Sequence, residues 1–247
     1  MFADFASARI WALKDDGQGG YTNELLKGPG SNFPAFSQGE DGELYVASRS
    51  RILRLVPAGP GTPDTIPDNL VDTGCVDTND PTQPASGLVP YATNATFWSD
   101  GADKLRWIAL PDGTTIDVDG SGDFVFPSGS VLLKSFELNN QLIETRLLMR
   151  HPDGVWAGYT YEWNDTQTAA TRVRGGKLRN VAGQSWIYPS EGECLQCHTS
   201  AAGFSLGPEI AQLNGDLTYP STGITANQLE TLDHILMFTS PLPGPAV

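Results

Sequence analysis

Short apolar runs that alternate with turns fill residues 8–57. Strand-like runs such as ELYVAS and RILRLV are separated by the sequences DDGQGG and GEDG, which are typical of hairpin turns. The β-branched and aromatic residues in these runs favour strands. Their spacing predicts about four strands in about fifty residues, the size of one propeller blade. We therefore interpret 1–57 as a propeller-blade-like β segment.

The next stretch, 58–90, is dense in Pro, Gly, Asp and Thr, which indicates a linker. Leu70, Val71 and Leu88 are apolar anchors, so we expect this linker to lie against the domain that follows. Residues 91–190 return to strand patterns, as in LRWIAL, SVLLKSFEL and VWAGYTYEW. The spacing of these runs predicts about six or seven antiparallel strands in a β-sandwich or barrel-like domain.

Helical spacing replaces the strand patterns in 191–247. The stretch GECLQCHTS indicates a short helix. A longer helix is predicted for ITANQLETLDHILMF, in which Leu229, Leu232 and Leu236 recur at helical spacing after Thr225 as N-cap. The predicted fold class is therefore mainly β, with a β-sandwich or barrel-like domain that follows the propeller-blade-like segment and ends in a short C-terminal helical segment.

Composition and charge narrow the range of partners. The chain carries 29 acidic against 15 basic residues, and the basic residues form no cluster in the sequence. Phosphate binding needs clustered positive charge, so the sequence predicts no nucleic-acid partner. No apolar run approaches the length of a membrane span, so no membrane insertion is expected. A soluble protein with a basic docking face, or a neutral substrate, fits this charge better.

The most informative motif lies in ECLQCHTS, where Cys194, Cys197 and His198 form C-x-x-C-H, the attachment signature of c-type haem. Two thiols separated by two residues lie on one helical turn and can reach the vinyl groups at one edge of a porphyrin. The adjacent imidazole can then bind the iron. Haem c is therefore the predicted cofactor.

Two other interpretations of the motif are a redox dithiol and half of a zinc site. A zinc site needs further ligands, and the sequence contains no second C-x-x-C or H-x-x-H pair. A thioredoxin-like dithiol is expected in a βαβ unit, which the patterns do not predict. The third cysteine, Cys75, is predicted to be a buried or unpaired side chain.

Covalent haem attachment takes place outside the cytoplasm, so a periplasmic or extracellular location is expected. The sequence begins MFADFASARI, which has neither the basic nor the apolar region of a leader. We interpret the chain as part of a longer protein whose leader is absent from it.

The sixth ligand of the iron has two candidates, Met237 and His234, which both follow the motif in the sequence. A methionine thioether in this position raises the reduction potential. Core packing on an amphipathic helix is the alternative role for Met237. An open or aromatic-capped iron is the third alternative, and it would favour small-molecule chemistry over electron transfer.

A second candidate cofactor is calcium. The stretch DVDGSGDF places Asp117, Asp119, Ser121 and Asp123 at alternate positions, as in the first half of a calcium loop. The twelfth position holds Ser128 where a bidentate glutamate is expected. A β-hairpin turn built from small polar residues is the alternative.

Two parts of the chain resemble known families. The sequence ARIWALKDDG…FSQGEDGELYVAS…RILRLVP looks like the closing blade of the six-bladed glucose/sorbosone dehydrogenase propellers, which use a quinone cofactor. One blade cannot form a complete propeller, so dehydrogenase activity is not implied. The stretch SWIYPSEGECLQCHTSAAGFSLGPEIAQLN, with TNATFWSDGADKLRWIALPDGTTI upstream, resembles an uncharacterised bacterial haem-motif family. In that family this module often follows such a propeller.

A looser resemblance concerns the order FP-G-x-V-x-x-K, then an aromatic strand, then a late C-x-x-C-H. This order is similar to the β-rich cytochromes c-prime beta and their hydroxylamine-oxidising relatives, in which the haem lies against a β-sheet. The relatives cross-link a lysine to the haem edge, and Lys134 is the position that corresponds. A solvated strand lysine is the alternative for Lys134.

Three hypotheses for function follow. The first is a c-type cytochrome that transfers electrons with a redox partner protein, either a quinoprotein sugar-dehydrogenase-type donor or an electron acceptor. The second is a β-rich haem enzyme or sensor that acts on a small nitrogen oxide or hydroxylamine. The third is a non-haem binding module in which the C-x-x-C-H motif is structural or binds a metal.

Overall fold

The structure is a computed structural model that describes residues 2–4, 9–15, 20–26, 35–39, 44–48, 51–54 and 65–242. The chain divides by backbone proximity into two compact units. Unit 1 comprises 1–66 with 191–197, and unit 2 comprises 67–190 with 198–247. The predicted fold class, mainly β with a short C-terminal helical segment, is confirmed.

Unit 1 contains six strands within its described residues: β1 (Phe2–Asp4), β2 (Arg9–Asp15), β3 (Tyr21–Leu26), β4 (Ala35–Gln38), β5 (Leu44–Ser48) and β6 (Arg51–Arg54). They form two three-stranded antiparallel sheets, β1–β2–β3 and β4–β5–β6. The sequence predicted about four strands in this segment, and the described residues contain six. Ile10 and Val46 are buried together, with Phe36 and Leu53 packed against them.

Unit 2 contains twelve strands within its described residues. In chain order they are β7 (Val89–Pro90), β8 (Asp103–Ala109), β9 (Asp117–Val118), β10 (Phe124–Val125), β11 (Val131–Leu138), β12 (Gln141–Arg150), β13 (Trp156–Trp163), β14 (Ala170–Arg172), β15 (Lys177–Val181), β16 (Gln184–Tyr188), β17 (Asp216–Thr218) and β18 (Thr225–Asn227). Six of them form one antiparallel sheet in the order β14–β13–β12–β11–β8–β7. This sheet is open, since its first and last strands are not paired, so it is not a barrel.

Both faces of the central strands of this sheet are covered. Leu132 and Leu133 are neighbours on β11 that point to opposite faces, and both are at most 5 % exposed. One face packs against an apolar cluster that contains Ile108, Leu132 and Leu148 together with Phe124 and Phe238. Burial of each such side chain stabilises the fold by roughly 1.5–3 kcal/mol. The sheet therefore forms the inner layer of a sandwich-like unit.

The segment predicted as a linker belongs to unit 2 from Pro67 onward, while 58–64 lies outside the described residues. The hydroxyl of Tyr161 donates a hydrogen bond to the carbonyl oxygen of Pro67 over 2.9 Å. Leu70 is fully buried, and the Cys75 thiol is also buried. Burial raises the pKa of Cys75. Unit 2 thus begins before residue 91, where the sequence placed the start of the β domain.

Three helices lie in the described residues: α1 (Glu191–Cys197), α2 (Ile210–Leu213) and α3 (Gln228–His234). The N-cap of α3 is Asn227, whose side chain accepts hydrogen bonds from the backbone of Leu229 and Glu230. The predicted N-cap, Thr225, instead lies in β18. Among the described helices, none combines the length and the apolar character that crossing a membrane requires.

Candidate functional site

The two cysteines of the C-x-x-C-H motif lie on α1. Cys194 and Cys197 are three residues apart on this helix, which places them about one turn apart along the same side. Glu191 and Glu193 in the first turn interact favourably with the helix dipole and support this short helix. Cys194 is half-buried and Cys197 is exposed, and no disulfide joins them. The helix therefore presents two thiols at the spacing that covalent haem attachment requires.

His198 follows Cys197 directly and belongs to unit 2. Its Nδ1 atom lies 2.7 Å from the carbonyl oxygen of Phe204. A carbonyl oxygen can only accept a hydrogen bond, so Nδ1 carries the proton and donates it. The lone pair of the neutral ring is consequently on Nε2, the nitrogen that remains for a metal.

The loop that supplies this carbonyl has an unusual backbone. After the short turn Ser200–Ala202, Gly203 and Phe204 both adopt left-handed conformations, with φ of 56° and 63°. A non-glycine residue rarely adopts this conformation. The Phe204 amide donates to the carbonyl of Thr199 over 2.9 Å, which closes the loop back on itself. The loop thereby orients the imidazole of His198.

The imidazole of His198 is electrically neutral near pH 7. Burial, reinforced by the positive charges of Lys134 and Arg146, lowers the pKa of His198 to about 4, against the opposing effect of its hydrogen bond to Phe204. A neutral imidazole is the form that binds metal ions. The environment therefore keeps His198 in the neutral form, which can bind a metal, over a wide pH range.

The positive charge of Lys134 lowers the pKa of His198, so the two side chains lie in the same part of unit 2. On β11 it stands directly opposite Arg106 of β8 and Arg146 of β12. The Lys134 Nζ atom is 5.7 Å from the ring centroid of Phe136, and the Arg146 Cζ atom is 4.5 Å from the same centroid. Lys134 is half-buried on β11. We call Arg106, Lys134 and Arg146 the cationic row.

One end of the cationic row contains an ion pair between half-buried Arg146 and buried Glu144. The guanidinium of Arg146 makes two hydrogen bonds to the carboxylate of Glu144, which is fully buried. The indole nitrogen of Trp186 donates to the same carboxylate over 2.8 Å. A bidentate arginine–carboxylate pair has a fixed geometry. Arg146 is therefore held in place beside Lys134.

The sequence did not identify Arg106, Arg146 or Glu144 as site residues. Their only signal is the presence of polar residues inside apolar strand runs, with Arg106 in LRWIAL and both Glu144 and Arg146 in IETRLLMR. Whether such residues meet depends on the strand register, which a single sequence does not specify. Only the structure places Arg106 and Arg146 in line with Lys134.

The two candidates for a sixth ligand lie in different environments. The predicted helix over 224–238 ends at His234, and Leu236 adopts a left-handed φ of 61°. This left-handed residue reverses the direction of the chain after α3. The side chain of Met237 is therefore buried in the apolar cluster that contains Phe124 and Phe238. His234 is exposed. Met237 thus occupies the core-packing environment that was its alternative role, and the two residues do not share a helix face.

The candidate calcium loop forms the turn between β9 and β10. Asp119 Oδ1 accepts hydrogen bonds from the backbone amides of Ser121 and Asp123 and from the Ser121 hydroxyl. These bonds lower the pKa of Asp119. Asp117 lies on β9 beside this turn. The loop is therefore a hairpin turn closed by its own aspartate, as in the alternative interpretation, and calcium remains a prediction for it.

A glutamate that the sequence did not single out lies beside this turn. Glu209 forms a backbone bridge with Asp123. Burial, and then the neighbouring carboxylate of Asp123, raise the pKa of Glu209. A cavity of about 770 Å³ adjoins the turn, with Asp117, Asp119 and Glu230 in its wall. This region of unit 2 is acidic, in contrast to the cationic row.

Comparisons of the chain with models of protein families, with curated proteins and with solved structures found no match.

Proposed function

We propose that this chain is a c-type haem protein that transfers electrons. In this proposal Cys194 and Cys197 form the thioether bonds and His198 binds the iron through Nε2. The observation that carries the proposal is the hydrogen bond from His198 Nδ1 to the carbonyl of Phe204, immediately after a C-x-x-C sequence on a helix. Such a bond is the usual support of a metal-binding histidine, because it fixes both the tautomer and the ring orientation.

A bound haem would supply an iron that gains and loses one electron. Two parts of the chain would hold this haem. Helix α1 presents the two thiols, and the loop at Phe204 holds the neutral imidazole in one orientation. We propose a periplasmic or extracellular location and a quinoprotein sugar-dehydrogenase-type partner or another soluble redox protein. The location is supported by the chemistry of covalent haem attachment. The dehydrogenase-type partner is supported by the resemblance of 1–57 to a propeller blade.

The test is the reduced pyridine haemochrome spectrum of protein produced together with a haem-attachment system. The wild type is expected to give the spectrum of haem bound through two thioether bonds. The double variant Cys194→Ser and Cys197→Ser should lose it, while Cys75→Ser serves as the matched control and should keep it. A wild-type protein without haem under these conditions would overturn the proposal and favour the third hypothesis, a non-haem binding module.

A second candidate function is a haem enzyme or sensor for a small nitrogen oxide or hydroxylamine. It is favoured by the charged surroundings of His198, where Lys134 and Arg146 lie close enough to act on its titration. Carbon monoxide added to the reduced protein separates the two functions. An electron carrier whose iron has two protein ligands should not bind it, whereas an iron with an open position should bind it at once.

A further inference from the structure

Unit 2 contains a cavity of about 770 Å³ that the proposed haem chemistry does not use. Four parts of the chain form its wall: the turn between β9 and β10, the ends of α2, helix α3 and the stretch 240–242. The volume lies in the range of about 300–1,000 Å³ that is typical of sites for small organic ligands. The cavity is therefore large enough to hold a molecule of that class.

Hydrogen bonds hold the parts of the wall together. The amide of Ile210 donates to the carbonyl of Gly122 over 3.0 Å, which fixes α2 against the turn. The amide of Leu242 donates to the carboxylate of Asp233 over 3.3 Å, which ties 240–242 to α3. The wall is therefore formed by the fold itself and does not need a ligand in order to form.

Much of the wall is apolar. It contains one buried and four half-buried side chains of the apolar cluster, namely Ile116, Val118, Ile210, Leu229 and Leu242. The half-buried side chains keep part of their surface in contact with solvent. An apolar group that enters the cavity removes this surface from water, which is favourable. The wall thus favours a ligand that has an apolar body.

The charged residues of the wall are all acidic within the part of the chain that the structure describes. They are Asp117, Asp119, Glu230 and Asp233. The two stretches that build the cavity, 107–133 and 198–247, together contain eight Asp or Glu residues and neither Lys nor Arg. His234 at the end of α3 and Arg150, which donates to the carbonyl of Phe126, do not belong to the wall. The charge of the cavity is therefore complementary to a cation.

Two of these four carboxylates are available to a ligand. Asp233 accepts the amide of Leu242, and Asp119 accepts hydrogen bonds from its own turn. The carboxylates of Asp117 and Glu230 make no ion pair and no hydrogen bond with other described residues. Both side chains are exposed at the wall, so a ligand can reach them from the cavity.

We propose that this cavity binds a small organic cation, which is an amine or a guanidine with an apolar body. The apolar body contacts Ile210 and Leu229, and the charged nitrogen donates hydrogen bonds to the carboxylates of Asp117 and Glu230. A bare metal ion gains nothing from the apolar wall, and an organic anion is repelled by the carboxylates. A neutral apolar compound leaves both carboxylates without a counter-charge. The site is separate from His198 and does not rest on the proposed function.

The experiment measures binding of benzylammonium to the full chain in calcium-free buffer by ¹⁵N–¹H NMR. The backbone amides of Gly120 and Gly122, which lie in the wall, are followed at constant ionic strength, and saturable shifts of both signals are expected. Two related probes separate charge from apolar contact. Benzoate carries the opposite charge and methylammonium lacks the ring, so each should bind at least about tenfold more weakly.

The double variant Asp117→Asn and Glu230→Gln removes both available carboxylates and keeps the shapes of the side chains. It should bind benzylammonium about tenfold or more weakly than the wild type, the loss typical of a charged hydrogen bond. The double variant Asp112→Asn and Asp216→Asn is the matched control. It removes the same charge from the same two stretches outside the wall, and it should leave the affinity unchanged. Benzyl alcohol, the neutral probe, should bind the first variant and the wild type equally, because the apolar wall is intact in both.

A wild type without saturable shifts overturns the proposal, and so does a benzoate affinity equal to that of benzylammonium. Equal affinity of the wild type and the first double variant for benzylammonium also contradicts it. The titration uses protein produced with a haem-attachment system. If haem does not attach, the proposed function is overturned, while binding of benzylammonium is still expected, because the cavity wall contains none of the residues proposed to hold the haem.

Discussion

At the scale of single residues, the central feature is the imidazole of His198. Its Nδ1 atom is committed to the Phe204 carbonyl, and its pKa is lowered to about 4 by burial and by the charges of Lys134 and Arg146. The hydrogen bond selects the tautomer that carries its proton on Nδ1. The lowered pKa means that protons do not compete with a metal for Nε2 near pH 7. Both favour metal binding through Nε2, although neither requires a metal in order to form.

The lowered pKa predicts how the stability of haem-free protein depends on pH. In the unfolded chain His198 should titrate near 6.5, so between about pH 6.5 and 4 the unfolded state binds more protons than the folded state. Stability should therefore fall as pH falls through this window. Urea denaturation at pH 7 and at about pH 4.5 measures the loss, which should be smaller in His198→Gln than in the wild type. His234→Gln is the control for an exposed histidine and should behave as wild type. Equal losses in wild type and His198→Gln would contradict the lowered pKa.

At the scale of elements, the end of α3 shows why a helix pattern can overestimate a helix. The amide of Met237 donates to the carbonyl of Leu232 over 3.0 Å, and the amide of Leu236 donates to that of Asp233 over 3.0 Å. These bonds form a Schellman motif, which usually has glycine in its left-handed position. Here Leu236 occupies that position with φ of 61°. The apolar spacing predicted a helix through residue 238, because no glycine marked its end.

The left-handed conformation of Leu236 predicts that Leu236→Gly stabilises the protein. Glycine adopts this conformation without steric cost, while leucine is disfavoured there by roughly 1–2 kcal/mol. The Leu236 side chain is 79 % exposed, so its removal loses little buried surface. We expect a gain of about 0.5–1 kcal/mol in the free energy of unfolding, measured in urea. Leu236→Ala is the control, since it shortens the side chain but keeps the strain. Equal effects of the two variants would show that backbone strain is not relieved.

The turn between β9 and β10 carries the calcium prediction. If calcium binds there, it should raise the melting temperature of the folded protein by mass action. Asp119→Ala should remove the response, because Asp119 is at the centre of the turn. Magnesium at the same concentration is the control for ionic strength. A melting temperature that does not respond to calcium would leave the loop as a hairpin turn closed by Asp119.

At the scale of the whole molecule, alternating apolar and polar runs were enough to predict a mainly β fold. The C-x-x-C-H motif was equally visible, since Cys194, Cys197 and His198 lie close together in the sequence. The cationic row was not visible, because Arg106, Lys134 and Arg146 come together only through the pairing of three strands. Local patterns thus predicted elements and motifs. Contacts between distant parts of the chain could not be predicted, because they depend on the strand register.

Unit 2 begins earlier than the strand pattern that starts at residue 91. The stretch after Pro67 is rich in turn-forming residues, yet Leu70 and Cys75 are buried, and the backbone amide of Arg172 donates to the carbonyl of Asp68 over 2.7 Å. Composition indicated that this segment is irregular, and its apolar anchors, of which Leu70 is one, were the signal that it lies against the following domain. The net charge of −14 likewise gave no sign that three basic side chains stand side by side on one sheet face.

The central claim is covalent haem on α1 with His198 as the iron ligand. The most direct measurement is the mass of the intact, denatured protein after production with a haem-attachment system. The predicted result is a mass that exceeds that of the polypeptide by one haem and that returns to the polypeptide mass in the double variant Cys194→Ser and Cys197→Ser. An unmodified wild-type mass would contradict the account, provided that a known c-type cytochrome produced in the same cells carries its haem.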